Sequence, residues 1–134
     1  MMQLLFVLAI VMVGMASIVT AQDTAPDEIT LDLPGVVPES LEYDGDGERF
    51  LLSTMAGGTV YSIRLDGTIE VFTELDTEAG YVSSVGMHID HEQQRLYVTQ
   101  TDYFAFLMGE GETSGGLGAY DLQTGELLWL ADLA

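Results

Sequence analysis

The sequence predicts an all-β protein: two four-stranded antiparallel blades of a β-propeller, preceded by an N-terminal signal helix. Three observations predict it. From Val36 onward, short apolar runs alternate with glycine-containing and acidic turns, and no 3.6-residue apolar period is sustained. Residues 40–54, SLEYDGDGERFLLST, lie in register over residues 86–100, GMHIDHEQQRLYVTQ. Each copy is then followed by a glycine pair, a third run, a glycine turn and a fourth run.

The first charged side chain is Asp23, so residues 1–22 are uncharged. Their apolar part, residues 4–16, has the length of a signal-peptide core, and Val19-Thr20-Ala21 fits a small-x-small cleavage pattern. Residues 1–21 therefore read as a signal peptide of an exported protein, periplasmic or extracellular. Only the terminal amine supplies positive charge ahead of that core, which leaves a retained N-terminal anchor as the alternative, because about 20 apolar residues span a bilayer. With no Cys in the chain, neither a lipid-modified cysteine nor a disulfide framework exists. Residues 22–35 form a lead-in to the mature protein. Residues 36–134 form a partial propeller, blade one at about 36–76 and blade two at about 82–133.

In the repeat, Leu41 aligns with Met87, Tyr43 with Ile89, Asp44 with Asp90, Arg49 with Arg95, Phe50 with Leu96, Leu52 with Val98 and Ser53 with Thr99. Each copy reads as strand, Asp-led turn, Arg, strand. The third strands, in 57–67 and 115–125, align Ile63 with Tyr120 and Leu65 with Leu122, and both close on a glycine turn. The fourth strands are TIEVFTEL (68–75) and ELLWLADL (126–133). A four-stranded meander has two apolar faces and cannot cover them alone, so blades stack around an axis. An eight-stranded β-sandwich has the same strand count; the in-register repeat of Asp turn, Arg and glycine pair favours the propeller.

The formal net charge is −19, from 22 Asp and Glu against three Arg and no Lys. Phosphate neutralisation needs clustered cations, so nucleic acid is excluded as a partner, and an anionic membrane surface is disfavoured. The acids are dispersed rather than blocked. Such a surface suits high salt, where self-repulsion is screened, or reflects an ordinary acidic bias of exported proteins.

The densest acidic stretch, YDGDGERF (43–50), invites a calcium-loop interpretation. An EF-hand loop starting at Asp44 needs Gly at its sixth position and a bidentate Glu at its twelfth; Arg49 and Met55 stand there. Only the Asp and the Arg persist in DHEQQR (90–95), which reads as a hairpin turn.

PESLEYDGDGERFLLSTMAGGTVYSIRLDG (38–67), SSVGMHIDHEQQRLYVTQTD (83–102) and GAYDLQTGELLWLADL (118–133) together resemble the start of a six-bladed propeller of the senescence-marker-protein / gluconolactonase / luciferin-regenerating-enzyme-like group. Members open with Pro-Glu-Gly-x-x-Tyr-Asp, a turn, and Arg-Phe; here Ser40 stands where that glycine usually is. The resemblance covers residues 36–133. No Trp-Asp closes a strand as in WD repeats, and the spaced Tyr and Trp of kelch repeats are missing after Gly57-Gly58.

The resemblance implies the N-terminal part of a longer propeller, with the remaining blades expected in cis and completion by oligomerisation as the alternative. It implies metal-assisted hydrolysis of a lactone or related ester by the complete protein, a small-molecule substrate, and a divalent cation such as Ca²⁺. Glu39 of the Pro-Glu motif would be one metal ligand, joined by Asn and Asp from later blades; a solvated glutamate at a strand start is the plain alternative. The two blades alone are expected to be inactive. A cation held there could polarise a carbonyl and lower the pKa of a bound water.

His88, which matches Glu42 in blade one, is a candidate channel-lining residue able to bind substrate or transfer a proton, or else a half-buried histidine bonded to backbone. His91, beside Glu92 in a turn, reads as solvated. The insertion at 101–116 contains the apolar run YFAFLM (103–108) and reads either as a lid or partner contact, or as a β-hairpin extending its flanking strands with GEGETSGG as the tip. Trp129 reads as inter-blade core. No motif for nucleophilic catalysis or phosphate binding is present. Besides the hydrolase, a non-catalytic sensor or binding propeller acting through its loops, and a structural piece without activity, remain open.

Overall fold

The computed structural model describes residues 28–109 and 115–133. The expected signal peptide or anchor and its cleavage site lie outside these residues, as does the centre of the insertion. The described chain is all-β apart from one short helix. Strands β1 (Pro38–Asp44), β2 (Arg49–Thr54), β3 (Thr59–Arg64) and β4 (Ile69–Glu74) form one antiparallel sheet in sequence order. Strands β5 (Ser83–Asp90), β6 (Arg95–Thr101), β7 (Gly115–Asp121) and β8 (Leu127–Asp132) form a second in the same order.

The sequence repeat is a structural repeat at residue resolution. Leu41 pairs with Leu52 and Asp44 with Arg49 across β1 and β2; Met87 pairs with Val98 and Asp90 with Arg95 across β5 and β6. The turns match as well. Asp44 Oδ1 accepts from the Gly47 amide at 3.1 Å, and Asp90 Oδ1 accepts from the Gln93 amide at 2.9 Å. Glu48 and Gln94 close the two turns with φ of 49° and 53°. In each case the aspartate carboxylate satisfies a turn amide locally, which is why Asp opens both hairpins.

Both sheets also carry an irregularity near the start of their first strand, between Pro38 and Leu41 and between Ser84 and Met87. A β-bulge leaves an amide without a ladder partner, and a hydroxyl on the second strand supplies one. The Ser40 amide donates to Ser53 Oγ at 3.0 Å, and the Gly86 amide donates to Thr99 Oγ1 at 2.7 Å. Ser40 and Gly86 are equivalent positions, so either residue fits the bulge.

The core lies between the sheets. Leu51, Val60 and Leu75 from the first side meet Ile89, Leu96, Val98, Tyr120 and Leu122 from the second, with Tyr81 of the connecting segment completing one cluster. Each fully buried side chain of this size contributes about 1.5–3 kcal/mol of transfer free energy. Gly116 in β7 makes room for the linker: a Cβ there would sit 3.0 Å from the Tyr81 ring.

The sheets stack the same way round. β5 lies against β1, β2 and β3. Leu51, which pairs with Glu42 and Ser62, faces the second sheet. Its equivalent Tyr97, which pairs with His88 and Ala119, faces away from the first. Conversely, Met87, Ile89, Leu96 and Val98 face inward, while their equivalents Leu41, Tyr43, Phe50 and Leu52 lie on the outer face of the first sheet. The front of one unit thus packs on the back of the next, without the two-fold relationship of a closed pair.

Candidate functional site

Glu39 lies within the bulge at the start of β1 and is exposed. The adjacent segments of this end are tied by a run of hydrogen bonds. The Met55 amide donates to the Val37 carbonyl at 2.9 Å, Ser83 Oγ donates to the Met55 carbonyl at 2.7 Å, and the Tyr103 amide donates to Ser83 Oγ at 3.3 Å. The entry to β1, the β2–β3 turn, the start of β5 and the segment after β6 therefore form one connected surface. Beneath it, Ser84 Oγ accepts from the Thr54 amide at 2.9 Å and donates to the Thr54 carbonyl at 3.0 Å. Thr54 Oγ1 donates to the Thr59 carbonyl at 2.8 Å. These hydroxyls are buried, and among the described residues no buried side-chain polar atom lacks a partner. The network spends its donors on backbone, so it holds the end rigid rather than offering a nucleophile.

The apolar run of the insertion forms a helix, α1 (Tyr103–Met108), rather than continuing the flanking strands as a hairpin. The reason is local. Asp102 caps the first turn by accepting from the Ala105 amide at 2.9 Å, and Gly109, at φ 67°, ends the helix by donating to the Ala105 and Phe106 carbonyls. The helix buries none of its residues: Phe106 is 63% exposed and Met108 72%.

His88 is exposed on the face of β5 that it shares with Tyr97, the face turned away from the first sheet. Its register match to Glu42 is as the repeat predicts. Trp129 lies on this same face with its ring 6.0 Å from that of Tyr97, and it is 40% exposed rather than enclosed between sheets. Among the described residues no three His, Asp or Glu side chains are grouped where they could hold a metal ion. Glu39 alone does not make a cation site, so no catalytic step is derived through a metal here.

At the opposite end, the Asp44 and Arg49 side chains border a cleft of about 270 Å³ between the sheets, with Arg64, Asp46 and Gln94. The Asp44 carboxylate is fully engaged there, by the Gly47 amide through one oxygen and by Arg49 Nε at 2.9 Å through the other. The exposed Asp46 lies 3.6 Å from His91 Nδ1, so His91 meets the neighbouring hairpin and is not merely solvated. The acids of YDGDGERF are thus distributed among turn and sheet contacts.

Comparison of the chain with protein-family models, with curated proteins and with solved structures finds no match. What the residues themselves add is the set that sequence reading passed over: Ser53 and Thr99 as bulge partners, Ser83 and Ser84 as the seam between sheets, and Arg49 as an inter-sheet contact. The first pair was visible as hydroxyls at equivalent repeat positions. The seam has no counterpart in the repeat and carries no such signal.

Proposed function

We propose that the two sheets are the first two blades of an exported β-propeller of the gluconolactonase-like group, whose complete form hydrolyses a lactone or related ester with a divalent metal. The observation that carries the blade assignment is the same-way stacking, which leaves one face of each sheet ready for another unit. A two-sheet sandwich buries both inner faces against each other and leaves two outer faces suited to water. Here the outer faces hold Leu41, Val71 and Trp129, each at least 40% exposed. Glu39, exposed at the connected end, supplies one ligand, and further units supply the rest. Calcium titration by calorimetry, together with a lactone hydrolysis assay, tests this on the complete protein. Loss of calcium affinity and of hydrolysis in Glu39→Gln is expected; unchanged affinity removes the metal role.

A second function, binding without catalysis, is favoured by α1, whose apolar side chains are held outward at the same end as Glu39. Under that function Phe106→Ser weakens ligand capture while Glu39→Gln does not.

A further inference from the structure

The two uncovered faces are the two halves of a junction the chain already makes once. By repeat register, the outer face of the first sheet is the counterpart of the inner face of the second. The free face of the second sheet is likewise the counterpart of the first sheet's inner face. On the inner face Leu51 is 0% exposed and Phe72 packs against the core; on the free face half-buried Tyr97 takes the place of Leu51, and Trp129, paired with Ala119 as Glu70 is with Ser62, stands 40% exposed beside it.

The polar contact is duplicated in the same way. Arg49 Nη2 donates to the carbonyl of Leu122, just beyond β7, and the guanidinium lies 5.0 Å from the Phe72 ring centroid. Among the described residues, its counterpart Arg95 donates to Gln93 Oε1 of its own turn, at 2.9 Å. The residue equivalent to Leu122 in the first unit is Leu65, at the turn after β3. In a chain with 22 acids, the middle of the first sheet's outer face is formed by Leu41, Tyr43, Phe50, Leu52, Tyr61 and Val71, with no charge among them. Leu31, Leu33 and Val36 of the lead-in cover its corner near Pro38 and Leu52, yet Leu41 remains 58% exposed and Val71 56%.

We infer that this chain associates with itself head to tail: the free face of the second sheet binds the outer face of the first sheet of a second copy, with Arg95 turning from Gln93 to the Leu65 carbonyl of that copy. Such a contact joins different surfaces and propagates into a closed ring or an open chain. The inference rests on the blade assignment, takes the further units to be copies of this chain in place of later blades in cis, and does not rest on lactone chemistry.

The test is the mass in solution of the full chain, produced in an exporting host and measured by light scattering over a range of concentrations at high salt, where repulsion is screened. Association is expected, weakened at least tenfold by Arg95→Ala and abolished by either Trp129→Asp or Leu41→Asp. An equimolar mixture of those two single-face variants should form a one-to-one dimer, since each retains one intact half of the junction, and dimer formation also shows that both fold. A monomer at every concentration overturns the inference and leaves the face to another sheet of the same polypeptide. Insensitivity to Leu41→Asp overturns it in favour of two identical faces meeting. If Arg49→Ala leaves the chain's own stability unchanged, the stacking fails too; if only association is missing, the stacking stands.

Discussion

Arg49 and Asp44 form an ion pair at 2.9 Å that belongs to two sheets at once, because the same guanidinium donates to the Leu122 carbonyl of the neighbouring sheet. Asp44 is 2% exposed and Arg49 15%. Removing one partner of such a pair strands the other away from water, at about 3–5 kcal/mol. Arg49→Ala is therefore expected to lower unfolding free energy by about 3 kcal/mol. Arg95→Ala, at the equivalent exposed position, should cost under about 0.5 kcal/mol in the monomer. Urea denaturation of the two variants side by side checks the contrast, and equal losses would contradict it.

Gly125 tests the same junction from the other side. It turns between β7 and β8 with φ 73°, and a Cβ added there would collide with the Phe72 carbonyl oxygen of the first sheet. A left-handed conformation costs a non-glycine residue about 1–2 kcal/mol by itself, and this clash is with backbone that cannot swing aside. Gly125→Ala should cost well over that amount. Gly67, at the corresponding turn with φ 86° and open space around it, should lose only the conformational part on replacement by Ala. Thermal melts of both variants separate strain from collision.

The repeat made the strands, their pairing and their register legible, because period-two alternation and the recurrence of Asp, Arg and hydroxyl residues are set within each unit. What lay between units was harder to read. Arg49 looked like part of a hairpin turn, yet its main partner beyond Asp44 is a carbonyl 73 residues away, a separation no local pattern encodes. The apolar run of the insertion is compatible in sequence with lid or hairpin, and what makes it a helix is Asp102 and Gly109, one residue outside each end of the run. Glu39 and His88 were found at their expected strand positions, but the chain alone does not bring them into a common group with a third ligand among the described residues.

Ser84 offers a measurement of the seam. Its hydroxyl accepts the Thr54 amide within a buried environment, where water does not replace a lost partner. An orphaned buried donor costs about 1–3 kcal/mol. Ser84→Ala should lose stability in that range, and amide exchange at Thr54 should accelerate more than at Ser53, whose hydroxyl bonds to the Ser40 amide and the Val85 carbonyl do not involve the Ser84 hydroxyl. Uniform acceleration across β2 would mean that the hydroxyl is not the local tie.

Acid should release two of the β-turns only below the ordinary aspartate range. Asp121 is held below the usual carboxylate range by the Thr124 amide and then the Thr124 hydroxyl, and Asp66 by the Thr68 amide and then its hydroxyl. A depressed folded-state pKa contributes stability that is present above the ordinary aspartate value of about 3.9 and lost as pH falls through the folded value. Chemical-shift titration of the two carboxyl carbons should give midpoints below the ordinary aspartate value of about 3.9. Midpoints in the ordinary range would refute the turn bonds.

Tyr120 sets the alkaline limit. Its phenol is buried between the sheets, donates to Gln100 Oε1 at 3.1 Å, and is pushed up to about 12 by burial. The unfolded chain releases this proton near pH 10 while the folded chain keeps it. The folded state then binds more protons, so stability falls with rising pH. This contribution is intact below pH 10 and is lost between about 10 and 12. Tyr120→Phe has no proton to lose but leaves Gln100 without its donor, at about 1 kcal/mol. Wild type should therefore be the more stable below pH 10, and its advantage over the variant should shrink steadily above it. Parallel curves for the two proteins from pH 9 to 12 would show that the phenol ionises as freely in the folded chain as in the unfolded one, and would place its ring outside the core.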